Sequence, residues 1–303
     1  MEKTVQQIVE RHKDLFGENP AIGKINAGFT NAIFSIADKY VLKICRDAEN
    51  EREFKSEISF YLESGEKDYI PKFFAYSQDK AKIPFYYIVT EKLKGHSLYD
   101  IWHTFTERER EDAVIQICDI LKDFHKKKGE PFDWSEYIKG YCRKHLAILE
   151  EREQLTSDEF AVVLRAMKKF DFYLKSKDFV FIHNDMHFDN LFCVEGKIKV
   201  IDFESCRFNP IDKELEIFYY MAQTPWKHAG EENEKFVKIE DYKTLIPYMR
   251  KYYPEIFNVP YLEQRMAIYH LRDALDQYGT YTKEKELHER ILRLAEFITD
   301  TNG

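Results

Sequence analysis

The sequence predicts an α+β fold in two lobes, an antiparallel-sheet lobe followed by a mainly helical one. Three observations carry this. Residues 1–92 alternate short β-rich runs with helical stretches. Residues 91–97, EKLKGHS, break every periodicity. Beyond them apolar residues recur at helical spacing almost to the end. The expected lobes are residues 1–92 and 97–303, joined at about 90–96.

Val5, Ile8, Val9, His12, Leu15 and Phe16 follow helical spacing, so the chain opens on an amphipathic helix rather than a signal peptide. Ile22–Ile25 and Ala32–Ile36 read as strands around the turn NAGFTN, and YVLKI as a third strand after a hairpin turn at Ala37-Asp38. A helix follows over Glu51–Ser64, with Phe54, Ile58, Tyr61 and Leu62 on its inward face and Gly65 just past its end. Strands are expected at Lys72–Tyr76 and Phe85–Thr90. In the second lobe, helices are expected over Glu107–Lys126, Tyr137–Gln154 and Ser157–Ser176. Leu191–Val194 and Lys197–Ile201 form a hairpin around Glu195-Gly196, and helices resume near Lys213.

Composition narrows the function classes. No apolar run approaches the roughly 18 residues that span a bilayer, so no membrane segment is expected. A net charge of −8 disfavours nucleic acid, whose phosphates need a basic face. The five scattered cysteines contain no C-x-x-C pair, which points away from zinc ribbons and disulfide frameworks and toward a reducing cytoplasm. A monomer or small homo-oligomer is expected.

The stretch FIHNDMHFDN, residues 181–190, holds two histidines and two aspartates. Asp185 and Asn190 fit H-x-D-x-x-x-x-N. Asp202-Phe203-Glu204 follows at the end of the second hairpin strand, Lys43 lies on the YVLKI strand, and Glu57 lies on the helix after it. Strand lysine, helix glutamate, H-x-D-x-x-x-x-N and D-F-x, in that order, form the set used by phosphotransferases of protein-kinase architecture. The competing reading is a metal-dependent hydrolase, with His183, Asp185 and His187 on one side of a strand. The other histidines stand isolated in the sequence, which disfavours such a cage.

On IHNDMHFDNLF and VIDFE, and on the order of the preceding motifs, the sequence resembles the aminoglycoside phosphotransferase and choline kinase-like family of small-molecule kinases. The resemblance runs over essentially the whole chain and implies a bilobal protein kinase-like fold. It implies that Lys43, paired with Glu57, holds the phosphates of ATP or GTP, and that Asn190 and Asp202 hold Mg²⁺ through hard oxygen atoms. Asp185 becomes the base that takes the acceptor hydroxyl's proton. His183 braces the loop, and Glu214 anchors it from below. Backbone groups at Glu91 and Leu93 face the nucleotide base.

Two departures from the protein-kinase pattern matter. G-x-G-x-x-G is absent, so Gly28, Thr30, Asn31 and backbone amides have to serve the phosphates. No A-P-E or long activation segment follows Asp202, so the expected acceptor is a small molecule, such as a cationic aminoglycoside, and not a peptide. Glu204 stands where glycine is usual and adds a carboxylate near the metal ligands. With Glu216 and Asp273 it is the expected substrate-facing set. The expected activity is therefore kinase transfer of a γ-phosphate to an alcohol group, with antibiotic resistance as one role for such an enzyme. A catalytically silent nucleotide-binding module on the same scaffold ranks below it, because Lys43, Asp185, Asn190 and Asp202 are all present.

Overall fold

The computed structural model describes residues 1–25, 31–227, 234–280 and 285–300. By contacts the chain divides into two compact units. One comprises Met1–Ile117, Asp185–Cys206 and Trp226–Asp241, and the other Cys118–Asn184, Arg207–Pro225 and Tyr242–Gly303.

The first unit is built on a five-stranded antiparallel sheet of β1 (Ile22–Ile25), β2 (Asn31–Ile36), β3 (Tyr40–Cys45), β4 (Phe73–Ser77) and β5 (Tyr87–Glu91), in the order β1-β2-β3-β5-β4. The β2–β3 turn forms where Ala37 and Asp38 adopt positive φ (51° and 53°), the twist a tight hairpin needs. Side chains alternate across the sheet. Phe34, Ile36, Leu42, Ile44, Tyr87 and Val89 fill one core with Val5 and Ile8 of α1 (Glu2–Arg11) and Phe16 of α2 (Lys13–Phe16). The expected opening helix is thus two segments that cover one sheet face. The opposite face carries Ile33, Lys43 and Ile88 in register on β2, β3 and β5.

Helix α3 (Glu51–Ser64) buries Phe54, Glu57, Ile58, Phe60 and Tyr61. Its inward stripe centres on Phe54, Glu57 and Tyr61, so Leu62, expected inside, is 56% exposed and Phe60 turns in instead. Within the same unit, the hairpin Leu191–Val194 and Lys197–Val200 pairs with the short strand His96–Ser97, which the sequence pattern did not show.

In the second unit, helix Leu262–Thr280 packs on Lys285–Asp300 and Trp134–Glu151, and Lys285–Asp300 packs on Ser157–Met167. The helix expected from Tyr137 begins at Trp134 instead, because the Asp133 carboxylate accepts the Glu136 amide at 2.9 Å and caps it. The stretch expected as one helix to Ser176 ends at Met167, and a separate turn, Phe170–Tyr173, carries Phe170 and Tyr173 into the core. Phe179–Ile182 and Arg207–Pro210 form an antiparallel pair that the sequence reading did not include. FVFI is a continuous apolar run without alternation, and Pro210 at the strand end mimics a helix entrance.

Arg265 is fully buried. It donates to both Asp212 oxygens at 2.7 Å, to Ser176 Oγ at 2.8 Å and to the Tyr173 carbonyl at 2.9 Å. Tyr269 donates to Asp212 at 2.9 Å and accepts from Trp134 at 3.0 Å. Tyr269 is therefore a core residue with no exposed surface. Among the described residues, no helix is long and apolar enough to cross a membrane.

Gly95 sits where the segment before His96 crosses the hairpin. A Cβ there would lie 2.2 Å from the Cys193 carbonyl oxygen and 2.9 Å from Val194 Cγ2. Backbone cannot yield as a flexible side chain does. Gly95→Ala is expected to cost about 1–3 kcal/mol in chemical denaturation, and equal stability would contradict this packing.

Burial, then the Arg290 charge, lowers the pKa of His270 from its ordinary 6.5 to about 4, with Asp273 pulling the other way and Lys213 assisting. The native state therefore keeps this imidazole neutral while the unfolded chain protonates. Its contribution to stability is complete above pH 6.5 and is lost as pH falls toward 4. His270→Gln should flatten the stability curve in that window by up to about 1.4 kcal/mol per pH unit, read by urea unfolding at stepped pH.

Candidate active site

Strand alternation aims Lys43 away from the hydrophobic core that Leu42 and Ile44 join. Its Nζ lies 2.8 Å from Glu57 Oε2, 2.8 Å from Asp202 Oδ1 and 3.1 Å from Glu204 Oε2. Lys43 is 8% exposed and Glu57 1%. Of the three acids at the start of α3, Glu57 is the one that reaches Lys43, while Glu51 pairs with Lys80. Glu57 Oε1 also accepts the Phe203 amide at 3.4 Å. Phe203 in turn stacks on Phe60, ring centres 4.0 Å apart, which fixes the Asp202-Phe203-Glu204 segment against the helix.

The electrostatics follow from this crowding. Burial alone lowers the pKa of the Lys43 ammonium, but Glu57, Asp202 and Glu204 together hold it well above its ordinary value, so it stays charged. Burial raises the Glu57 carboxyl against the pull of Lys43, and Asp202 and Glu204 add to the rise. Asp202 sits in the left-handed region at φ 64°, a conformation Asp tolerates better than most residues.

Asn190 Nδ2 donates to the Asp185 carbonyl at 2.8 Å and lies 3.2 Å from His187 Nε2. These contacts engage the amide nitrogen. His187 Nε2 also lies 3.7 Å from Asp185 Oδ2. The Ile201 amide donates to the Asn190 carbonyl at 3.0 Å, which brings Asn190 beside the residue preceding Asp202. The amide oxygen of Asn190 and the carboxylates of Asp202 and Glu204 are hard donors, a set that suits a divalent cation such as Mg²⁺. Among the described residues, one group of His, Cys, Asp or Glu places three ligand atoms within 4.8 Å, namely Glu57, Asp202 and Glu204. It contains no histidine, which removes support from the imidazole cage.

Lys43, Glu57 and Asp202 line a cavity of about 370 Å³ within the first unit. Ile25, Ile33, Val41, Ile88, Phe192 and Ile201 supply apolar walls, and Thr90, Glu91, Leu93 and Gly95 line it too. The sequence reading named Glu91 and Leu93 but missed the apolar wall residues, although strand parity with Lys43 marks Ile33, Val41 and Ile88. At the rim, the Glu91 and Lys92 amides are taken by Lys72 and Lys39 carbonyls at 2.8 Å, whereas the Leu93 amide has no backbone partner among the described residues. Gly28 and Thr30 lie outside the described residues. Asn31, which follows directly, donates to Glu204 Oε2 at 3.0 Å.

In the second unit, buried Glu214 accepts the His183 amide at 2.7 Å and the Asn184 amide at 3.1 Å. These are the two residues immediately before Asp185. Burial raises the Glu214 carboxyl, but His125 and His183 more than offset it, so its pKa is lowered and it stays ionised. Glu216 pairs with Lys213 and lies 3.7 Å from Arg272, and Asp273 pairs with Arg272.

Residues 22–243 match the phosphotransferase enzyme family, APH. No curated protein sequence matches the chain significantly. Among solved structures, the ADP-bound aminoglycoside phosphotransferase APH(2'')-Ib superposes with a TM-score of 0.70 at 17% identity, covering 96% of this chain and 98% of that one. The streptomycin–ATP ternary complex of APH(2'')-IIa gives 0.68 at 17% identity over 96% and 97%. A thermostable mutant of APH(4)-Ia in its apo form gives 0.65 at 15% identity over 98% and 99%. The chain belongs to the phosphotransferase enzyme family and has its kinase-like fold.

Proposed function

We propose that the protein is a small-molecule kinase that transfers the γ-phosphate of ATP or GTP to a hydroxyl of its acceptor with Mg²⁺. One observation carries this reading: a buried ammonium, Lys43, stands among carboxylates at the end of an apolar cavity whose rim offers backbone groups. An anionic phosphate chain needs the cation, and a planar base needs the apolar slot. Neighbouring structures hold ADP, ATP or GDP, which supports the nucleotide.

In this reading the base lies against Ile25, Ile33, Val41, Phe192 and Ile201, with its edge on the Leu93 amide and the Glu91 carbonyl. Residues 90–96, expected from the sequence to link the lobes, are then the hinge segment that meets the base. Lys43 holds the phosphates and Glu57 keeps its ammonium in place. Asn190 and Asp202 would hold Mg²⁺, which neutralises charge on the phosphates. Asp185 orients the acceptor hydroxyl and takes its proton as the new bond forms. Glu214 fixes the backbone ahead of Asp185, so the base is presented by a rigid loop.

The acceptor is a small hydroxyl compound. Neighbours bound to streptomycin, gentamicin or hygromycin B support the aminoglycoside class. Glu216 and Asp273 remain candidates to face it, but each is already paired with a cation, which lowers the charge they can offer a polycation. A cytoplasmic location suits the supply of nucleotide.

Nucleotide consumption with Mg²⁺ across a panel of aminoglycosides and amino alcohols tests the reading. Asp185→Ala is expected to lower kcat roughly 10²–10⁴-fold while nucleotide binding persists. Near wild-type turnover would exclude Asp185 as the base. Lys43→Ala should weaken nucleotide binding roughly 10–100-fold in calorimetry, and unchanged affinity would remove the phosphate assignment. Nucleotide binding without turnover on any acceptor would favour the silent module.

A further inference from the structure

We propose that Glu204 is a gating residue of the phosphate site: in the nucleotide-free protein its carboxylate occupies the Lys43 donor that a phosphate oxygen must take, which makes nucleotide binding depend on a divalent cation. The inference rests on the nucleotide reading above and adds a role for a residue outside the shared Lys43–Glu57–Asp202 set.

An ammonium has three N–H groups. Glu57, Asp202 and Glu204 face Lys43 at 2.8, 2.8 and 3.1 Å, so its donors are fully matched within the protein. Three carboxyl groups surround one ammonium, so acidic groups outnumber the cation where an anionic phosphate chain has to enter. The three are not equally replaceable. Glu57 is buried and also holds the Phe203 amide. Asp202 is set by its left-handed backbone and a 2.8 Å contact. Glu204 makes the longest contact, and its longer, flexible stem can swing. It also accepts from Asn31, the residue immediately after positions 26–30, where the sequence places the phosphate loop.

The same Glu204 oxygen thus clasps Lys43 and the start of β2 at once. Phosphate oxygens competing for Lys43 must displace a charge that has nowhere better to go unless a cation is present to receive it. With a divalent cation at the adjoining oxygen donors, the displaced carboxylate finds a partner and the excess charge is offset. Glycine at this position would leave Lys43 with an open donor and no such coupling.

The test is calorimetric binding of ADP, with GDP in parallel, to the full chain in Mg²⁺ and in EDTA. Glu204→Gln keeps the side-chain shape and an oxygen for Asn31 but removes the charge. It is expected to tighten metal-free ADP binding roughly tenfold and to change Mg²⁺-ADP binding much less, so that the gap between the two conditions narrows. Glu204→Ala, which removes both contacts, should narrow it as well, and thermal melts check that each variant is folded. Glu195→Gln removes one charge from the exposed hairpin turn of the same unit and should leave the gap unchanged. A gap unaltered in both Glu204 variants overturns the gate. So does a large loss of Mg²⁺-ADP affinity with metal-free binding unchanged, which would make Glu204 a cation ligand only. If the wild-type protein binds no Mg²⁺-nucleotide, the functional reading falls and takes this inference with it.

Discussion

A buried lysine ammonium is expensive to desolvate, and the first unit is organised around meeting that cost. Strand β3 cannot place Leu42 and Ile44 in the core without turning Lys43 to the other face. There it is solvated by carboxylates instead of water. Glu57 comes from the helix 14 positions on, and Asp202 from a segment 159 positions away. The long-range partner explains why Asp185–Cys206 belongs to the same compact unit as the N-terminal sheet. Phe203 reinforces the link by stacking on Phe60 and donating its amide to Glu57. Ion pair, ring stack and backbone bond all fix one short segment, which therefore tolerates a left-handed Asp202.

The sheet divides its labour by parity. One face is closed by α1 and α2, and its residues are large and apolar. The other carries Ile33, Val41 and Ile88 around Lys43 and bounds the cavity. A one-residue slip in β3 would exchange the two sets and bury the lysine among hydrocarbons, so the register that builds the core is also the register that builds the site. The positive-φ turn at Ala37-Asp38 enforces that register locally.

Much of this was legible in the sequence because it is local. The β2–β3 hairpin, helix α3 and the second hairpin all carry turn residues and periodicities that need no partner. Lys43 and Glu57 could be matched because strand parity and helix stripe each point one way. What escaped had a distant cause. Phe179–Ile182 and Arg207–Pro210 pair across 25 positions or more and show no alternation. His96–Ser97 is too short to carry a pattern. Glu204 is an acid near other acids in the sequence, and its grip on Lys43 and Asn31 exists only once two chain segments meet. Glu216 and Asp273 look like free carboxylates until Lys213 and Arg272 are seen beside them. A sequence shows charge, but it does not show whether the charge is already neutralised.

The loop before Asp185 is held by a different device. Asn184 adopts φ 67°, and its amide and that of His183 both end on Glu214. This buried carboxylate stays ionised because His125, and then His183, outweigh the cost of its burial, and its charge strengthens both amide bonds. It therefore fixes the backbone and never competes for the proton that Asp185 is proposed to take. Asn190 completes the arrangement by tying its amide nitrogen back to the Asp185 carbonyl. The loop is thus pinned at both ends through main-chain groups, which leaves the Asp185 side chain, 43% exposed, as the part of the loop able to respond to what arrives. Acidic side chains of one chemistry are thus sorted by burial and bonding into an anchor, Glu214, and the proposed gate and base, Glu204 and Asp185.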